Sequence, residues 1–419
     1  MSSSRRLSAA FDLGTTTIAA SLVDQDSGER LAVTGALNPQ RPWGADVLAR
    51  LGAGADPEKL AAMKGCLALE MERMTEDLLA QAGADSSELA GIAVAGNPAM
   101  ETIALGLPVA SLAYPPFRPL FSQGKEVSTL DLDWRNDYPA YLLPLPGGFV
   151  GGDLLAFIFG LRESAQPATL YLDMGTNAEI ALFDGERFLA TSAAAGPAFE
   201  GGNMRCGMAA LPGAISSVTI EDDRVKLATI AGAPARGICG SGVLEAVAAL
   251  ISCGVIEPTG RLRPSAEIES NLGNRVQEVN GIPAFVLHRD ASGLVYLDQE
   301  DIRALQLAKG ALKGGMEILL LKAGLSLENL SQVVLTGSFG AVLSPLVLKK
   351  VGIFNEKMVR ITGFIREGAL AGVERLLIES DGRARLEALA REVRVIPLSG
   401  TPLFEKLFLA NLDFPQQGA

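Results

Sequence analysis

Phe11-Asp12-Leu13-Gly14-Thr15-Thr16 and Leu172-Asp173-Met174-Gly175-Thr176-Asn177 read almost alike. In each, an apolar run ends in Asp, a Gly follows two residues on, and a Thr comes next. Each continues into a second strand-like stretch and reaches a turn containing Gly-Glu-Arg, at Gly28-Glu29-Arg30 and Gly185-Glu186-Arg187. The two aspartates stand about 160 residues apart, the length of one domain. A strand, a tight turn and a second strand, given twice, predict two homologous α/β halves.

The chemistry of such a turn is specific. An Asp at a strand's end can hold a hydrated Mg²⁺. The Gly lets the backbone turn tightly and approach a ligand with no Cβ in the way. The Thr hydroxyls and successive N–H groups can then bind phosphate oxygens. Residues 17–23 are β-branched and apolar rather than a helix start. That argues against the Walker loop and the dinucleotide-binding glycine turn, both of which feed helices. Taken singly, the turn is also an ordinary hairpin, with the Asp capping it. Two copies at domain spacing favour two loops closing on one polyphosphate from opposite sides.

Composition narrows the partners. With 419 residues and 48% hydrophobic content, the chain can fill the cores of two or three domains. The net charge is −12, and no Lys/Arg cluster carries interleaved aromatics, so neither nucleic acid nor an anionic membrane is an expected partner. A phosphate ligand must then be held by amides, hydroxyls and a metal. The four cysteines, Cys66, Cys206, Cys239 and Cys253, include no Cys-x-x-Cys pair. Reduced cytoplasmic thiols are expected rather than a cluster. No signal-like or membrane-spanning run occurs. His288 is the single histidine and reads as a surface or loop residue.

Along the chain, strands are expected at 7–11 and 17–23, then a polar turn and short helix over 38–51. Over 58–82, Leu60, Met63, Leu67, Met71, Met74 and Leu78 fall at helical spacing, one buried stripe. A small strand at 91–95 ends at Gly96-Asn97-Pro98, and 108–146 reads as an irregular excursion. A glycine turn opens a helix over 147–162, and the second half starts with a strand at 169–172. A glycine-dense stretch at 195–203 precedes Gly237-Ile238-Cys239-Gly240-Ser241-Gly242 and a helix over 243–253. A polar insertion with short strands (257–298), a long helix (301–323) and a strand (332–336) ending at Gly337-Ser338-Phe339-Gly340 follow. A helix near 367–380, a strand at 393–396 and a last helix at 402–411 complete the chain.

The order of these loops resembles the acetate and sugar kinase/Hsc70/actin superfamily along the whole length. A first phosphate loop (Asp12-Leu13-Gly14-Thr15-Thr16) precedes a connecting helix (Gly151-Gly152-Asp153-Leu154). A second phosphate loop (Asp173 to Asn177) precedes an adenosine loop (Thr336-Gly337-Ser338-Phe339-Gly340). More narrowly, the chain is similar to the ATP-binding part of reductive activators of corrinoid proteins. That resemblance rests on Asn38-Pro39-Gln40 with Gly44-Ala45-Asp46-Val47, on Ala194 to Gly201, on Gly237 to Gly242, and on Gln306-Leu307-Ala308-Lys309. It implies two actin-like (ribonuclease H-like) subdomains, 1–165 and 166–419, with a nucleotide cleft between them. It also implies MgATP hydrolysis coupled to return of a partner's Co(II) corrinoid to Co(I). Such activators usually carry an iron–sulfur domain, whereas this chain opens directly on the first phosphate strand. No cluster of its own is therefore expected, and a separate ferredoxin-like protein would supply the electron. A homodimer is compatible with the sequence. A small-molecule kinase of the same superfamily, or a nucleotide-gated scaffold or chaperone, stays open as an alternative.

The resemblance assigns Asp12 and Asp173 to the Mg²⁺ shell, directly or through water. It assigns Asp153 to orienting or deprotonating the attacking water, although a helix N-cap would also place an Asp there. Gly14, Thr15, Thr16, Gly175, Thr176 and Asn177 are the expected phosphate contacts, and Gly337, Ser338 and Phe339 the adenosine contacts. Gly240, Ser241 and Gly242 either touch nucleotide or let their helix pack closely. Lys309 either reaches the ribose or a phosphate or is a helix-surface lysine. Glu200 is a candidate second acid or partner contact. Cys206 and Cys239, in glycine-rich loops, read as small buried hydrophobes. Gly96-Asn97-Pro98-Ala99-Met100 departs from the Gly-Asn-Thr-Thr-Met-like pattern of those relatives.

Overall fold

The first expected strand becomes β1 (Leu7–Leu13), whose side chains are buried throughout except for a half-buried Asp12. β1 is covered because it has a partner on each side. It pairs antiparallel with β2 (Thr17–Asp24), Asp12 opposite Ala19. The meander continues into β3 (Arg30–Leu37), and β4 (Leu89–Gly96) lies parallel to β1 on its other edge, Asp12 opposite Ala95. β5 (Lys125–Ser128) and β6 (Pro139–Leu142) complete a sheet of order β3-β2-β1-β4-β6-β5. A computed structural model of the chain describes residues 5–291, 293–337 and 343–416.

The motif then recurs. β7 (Thr169–Met174), β8 (Ala178–Phe183) and β9 (Phe188–Ala193) form a second three-strand run. Two small sheets follow in the chain. One is built from β10 (Ala214–Glu221), β11 (Arg224–Thr229) and β12 (Gly237–Ile238). The other is built from β13 (Val276–Val279), β14 (Ile282–Asp290) and β15 (Gly293–Asp298). β16 (Gln332–Thr336), β17 (Thr362–Phe364) and β18 (Arg394–Val395) come last. The second large sheet runs β18-β9-β8-β7-β16-β17, with β16 parallel to β7 and Thr336 opposite Asp173. In both sheets the third, second and first strands of a meander are followed by a parallel strand laid beside the first. This duplicated topology is the actin-like α/β architecture.

The chain divides into two compact units. The first comprises Met1–Pro167, Ala181–Thr191 and Glu367–Ile396; the second comprises Ala168–Ile180, Ser192–Arg366 and Pro397–Ala419. In the first unit, helix Pro57–Ala82 buries Met63, Leu67, Met71, Met74 and Leu78 in the core cluster, the stripe read from spacing. Asp56 caps its start through the Glu58 N–H, and Gly83 in the left-handed conformation ends it. Helix Gly152–Leu161 packs against helix Gly368–Ile378, which also meets β1 and β2. Glu374 of that helix binds Arg30 and accepts from Ser21, so three charged or polar groups tie it to the sheet. In the second unit, helix Gly240–Ser252 packs on β10, and helix Gln299–Ala323 on helix Pro402–Ala410.

Three expectations need correction. The stretch 108–146 is not wholly irregular, since it holds β5 and β6; each has only four residues, too few to show a period. Helix Gly382–Glu392 was not expected, because its polar composition hides a stripe of just Leu386 and Leu389. His288, read as a surface or loop residue, is partly exposed but lies in strand β14, 3.0 Å from Asp290, so only the loop half of that reading is corrected.

The crossing of helices Gly152–Leu161 and Gly368–Ile378 leaves no room for a side chain at Gly372. A Cβ there would fall 1.9 Å from the Ala156 carbonyl oxygen. Gly372→Ala is expected to cost about 3 kcal/mol, since backbone cannot yield as a side chain does. Gly65→Ala in helix Pro57–Ala82, where a Cβ meets nothing within 4 Å, should instead gain up to about 1 kcal/mol. Denaturant midpoints of the two variants check the pair, and equal effects would contradict the packing.

Candidate functional site

In the first unit, the β1–β2 turn is shaped by what holds its carbonyls. Asn38 Nδ2 donates to Gly14 O at 2.8 Å, and the Asn38 N–H donates to Thr16 O at 2.9 Å. Between them, Arg50 Nη2 donates to Thr15 O at 2.5 Å. Three successive carbonyls are thus drawn to one side. In a planar trans peptide the N–H points opposite to the C=O of the same unit. The amides of Thr15, Thr16 and Thr17 therefore face away from that scaffold, as an anion-binding nest requires. A Cβ on Gly14 would sit 2.5 Å from Thr17 O, so the turn closes only with glycine.

Thr15 is not placed as a side-chain phosphate contact. It is buried, and its hydroxyl accepts from Asn97 Nδ2 at 2.9 Å. Thr16 is half-buried and Thr17 exposed. Asn97 also caps helix Pro98–Ala104 through the Met100 N–H. Asn97, which the Gly-Asn-Thr-Thr-Met-like pattern shares, thus reaches the loop through its amide; the departure lies at Pro98 and Ala99, which carry no hydroxyl.

The glycine turn before helix Gly152–Leu161 presses onto the end of β4. A Cβ at Gly151 would lie 2.3 Å from Gly96 O, and one at Gly152 would lie 2.5 Å from Glu101 Oε1. This contact sets Asp153 beside Glu101. Gly151 is the N-cap, so Asp153 is inside the first turn rather than capping it, and its Oδ1 accepts the Leu154 N–H at 2.8 Å. Burial pushes the Asp153 carboxyl up to about 6. Glu101 is wholly buried. Its Oε1 accepts the Gly96 N–H at 3.0 Å, and its Oε2 has no partner among the described residues. Burial, and after it the Gly96 hydrogen bond acting the other way and the Asp153 charge, leave Glu101 well above the usual carboxylate range. Sequence reading missed Glu101, for which composition gives no signal.

In the second unit, Asp173 lies at the end of β7 opposite Thr336. Gly337 follows with φ +117°, and a Cβ there would come 3.2 Å from Asp173 Oδ1. The start of the adenosine-loop motif is thus beside the second acid, and only glycine leaves the space over its carboxylate. Ser338 and Phe339 lie outside the described residues. In the β7–β8 turn, the Gly175 N–H donates to Asn177 O, and the Thr176 hydroxyl bonds the Glu200 carboxylate. Asn177 is half-buried.

The two open readings of Gly240-Ser241-Gly242 meet a crowded backbone. Cβ atoms at Gly240 and Gly242 would fall 1.8 Å from Phe199 O and 2.2 Å from Ile215 O, while Ser241 Oγ donates to Ser216 O at 2.9 Å. The glycines seat the helix directly on the Pro197–Glu200 turn that carries Glu200. Lys309 is buried, not on a helix surface. Its Nζ donates to Asn411 O and Asp413 O, each at 2.6 Å, beside the Phe414 ring, and burial pushes it down to about 8. Its ammonium anchors the C-terminal segment. Cys239 is buried with Sγ 3.4 Å from Ile215 O, and Cys206 is half-buried. Among the described residues, no three His, Cys, Asp or Glu side chains gather as a metal-ligand group, and no helix is long and apolar enough to cross a membrane.

Comparison with known proteins finds relatives over nearly the whole chain. The chain is 28% identical over 414 residues to the corrinoid activation enzyme RamQ of Eubacterium limosum, covering 97% of this chain and 70% of that protein. It is 26% identical over 294 residues to the [Co(II) methylated amine-specific corrinoid protein] reductase of Methanosarcina barkeri, covering 64% of this chain and 50% of the relative. Among solved structures, a reductive activator for corrinoid,iron-sulfur protein superposes with a TM-score of 0.89 at 26% identity, over 99% of this chain and 67% of that one. Residues 7–162 match the RACo middle region, and residues 167–419 match the C-terminal domain of RACo, the ASKHA domain. The chain belongs to the RACo family.

Proposed function

We propose that this chain is an ATP-hydrolysing activator of a corrinoid protein, returning its cobalt from Co(II) to Co(I) with one electron delivered by a separate ferredoxin-like protein. What carries the reading is likeness over nearly the whole chain to a corrinoid activation enzyme, at 28% identity, joined to a loop built to present amides to an anion.

Each residue has a part in this scheme. The Thr15–Thr17 amides and Gly175-Thr176-Asn177 bind phosphate oxygens, and Gly337 admits ligand atoms beside Asp173. Asp12 and Asp173 are the carboxylates that would hold Mg²⁺, which neutralises phosphate charge when bound. Glycine at position 337 keeps a Cβ from crowding the Asp173 carboxylate, which supports an ion there. Asp153 takes the proton of the attacking water. The elevated affinity of its carboxyl for protons suits a base working near neutrality. Hydrolysis then changes the chain's affinity for its partner, and only such a difference between nucleotide states can couple ATP to electron transfer.

Asp12→Ala and Asp173→Ala should each abolish Mg-dependent phosphate release while the protein stays folded, as judged by circular dichroism and turnover. Unchanged turnover in either variant would remove the two-loop scheme.

Asp153→Asn separates chemistry from stability. Its carboxyl, at about 6, binds protons more tightly folded than unfolded, so its contribution to stability falls as pH rises through roughly 4 to 6. At pH 7.5 the Asn variant should therefore melt no lower than wild type while losing about 100-fold or more in hydrolysis. Wild-type hydrolysis should fall below about pH 6 as the base protonates. A variant that hydrolyses ATP normally but melts early would make Asp153 structural.

With a corrinoid protein, a ferredoxin-like donor and MgATP, the corrinoid absorbance should change from Co(II) to Co(I), and omission of ATP should stop it. ATP-dependent phosphorylation of a metabolite with no corrinoid effect would overturn the assignment in favour of a kinase.

A further inference from the structure

Arg50 is the largest fully buried side chain among the described residues, and no carboxylate is in contact with it there. It sits on helix Val47–Ala53, which Asp46 caps through the Ala49 N–H at 2.8 Å. Its donors reach only neutral acceptors: Gly44 O at 3.1 Å, Gln40 Oε1 at 3.3 Å, Met100 Sδ at 3.3 Å and Thr15 O at 2.5 Å. Among the described residues it makes no ion pair. Gln40 is itself buried and pinned, its Nε2 on Met63 O and its N–H on Asn38 Oδ1. The family motif Asn38-Pro39-Gln40 thus builds a polar cup around one guanidinium.

Such an arrangement is costly. A buried charge without a partner costs several kcal/mol, and an apolar residue of similar volume is often more stable in its place. Burial lowers the proton affinity of Arg50 to about 10, which still leaves it charged at neutral pH. The charge is spent in one direction. It is bonded to the carbonyl of the Thr15–Thr16 peptide, whose N–H faces the opposite, anion-facing side of the turn. A cation on the carbonyl polarises that peptide and strengthens its N–H as a donor. A polyphosphate across the turn would then act as the missing counter-charge.

We propose that Arg50 is the positioning residue of the first phosphate loop: it fixes Thr15 and supplies positive charge from behind, so that a bound polyphosphate is its counter-ion without touching it. The inference rests on the nucleotide reading above.

The test uses the full chain, with Arg50→Met and Arg50→Lys, and measures binding of MgATP, tripolyphosphate and adenosine by titration calorimetry and competition. Arg50→Met should lose tenfold or more for MgATP and tripolyphosphate but stay within about twofold for adenosine. A role confined to folding would weaken all three alike. Arg50→Lys replaces an always-charged group by one whose proton burial loosens. Asp46 and the Cys66 thiol(ate) favour the cation there and Arg41 opposes it. MgATP affinity of the Lys variant should therefore fall between pH 6.5 and 9.5 by more than in wild type over the same range. If Arg50→Met does not fold, this pH profile decides. Wild-type affinity for MgATP in Arg50→Met, or a wild-type profile in Arg50→Lys, overturns the inference. A wild-type protein that binds none of the three overturns the nucleotide reading and this proposal with it.

Discussion

A turn can offer amides to an anion only if its carbonyls are held elsewhere. Everything around the first loop follows from that constraint. Gly14 O and Thr16 O go to Asn38, and Thr15 O to Arg50, so the peptide planes are set before any ligand arrives. Preorganisation of this kind spares the ligand the cost of ordering the loop. It also explains the demand for residues far from the turn: helix Val47–Ala53 must bring Arg50 beneath it, and helix Pro98–Ala104 must bring Asn97 against the Thr15 hydroxyl.

The same region gathers groups that folding alone would not choose. Among the described residues Arg50 is buried without an ion pair, and Glu101 is buried with one oxygen unpartnered. Asp153 holds its proton more tightly than a surface carboxylate. Each lies in the first unit, whose core cluster runs from β1 through helix Pro57–Ala82 to Trp134. A core of that extent supplies the hydrophobic stabilisation against which such local costs are small. Glu101 and Asp153 stand beside the end of β4, where ligands approach an α/β sheet, although helix Pro57–Ala82 also buries Glu72 and Thr75.

What the sequence made legible was local. The Asp-x-Gly-Thr turns could be read because Asp12, Gly14 and Thr15 act within four residues, and their repetition at domain spacing gave the duplicated sheets. The methionine stripe of helix Pro57–Ala82 was legible for the same reason, a short period. The scaffold was not. Arg50 reaches Thr15 across 35 residues and Asn97 reaches it across 82, distances at which no spacing rule applies. Lys309 was misplaced because helical spacing does not say that a lysine will be capped by carbonyls more than 100 residues later. Glycines sit between these cases. Gly240 and Gly242 were visible as a motif, yet only the approach of Phe199 O and Ile215 O to them reveals the close packing that excludes any side chain.

The two loops reach their form by different means, and the difference bears on how they respond to ligand. The first is braced from behind by a cation and an amide. In the second, the Thr176 hydroxyl is bonded to the Glu200 carboxylate, which stands on a turn seated against helix Gly240–Ser252 with no Cβ between them. If the second loop receives phosphate, as proposed, the Glu200 carboxylate beside it repels that anion and can also bind a metal ion that arrives with it. Bringing phosphate to this loop therefore favours either a cation beside Glu200 or release of Thr176 from it. Any such shift at Glu200 is carried to the Pro197–Glu200 turn and, through the rigid contact at Gly240, to the helix behind it. A small change of charge at the second loop thus has a direct mechanical route into the second unit, whereas the braced first loop has little freedom to move.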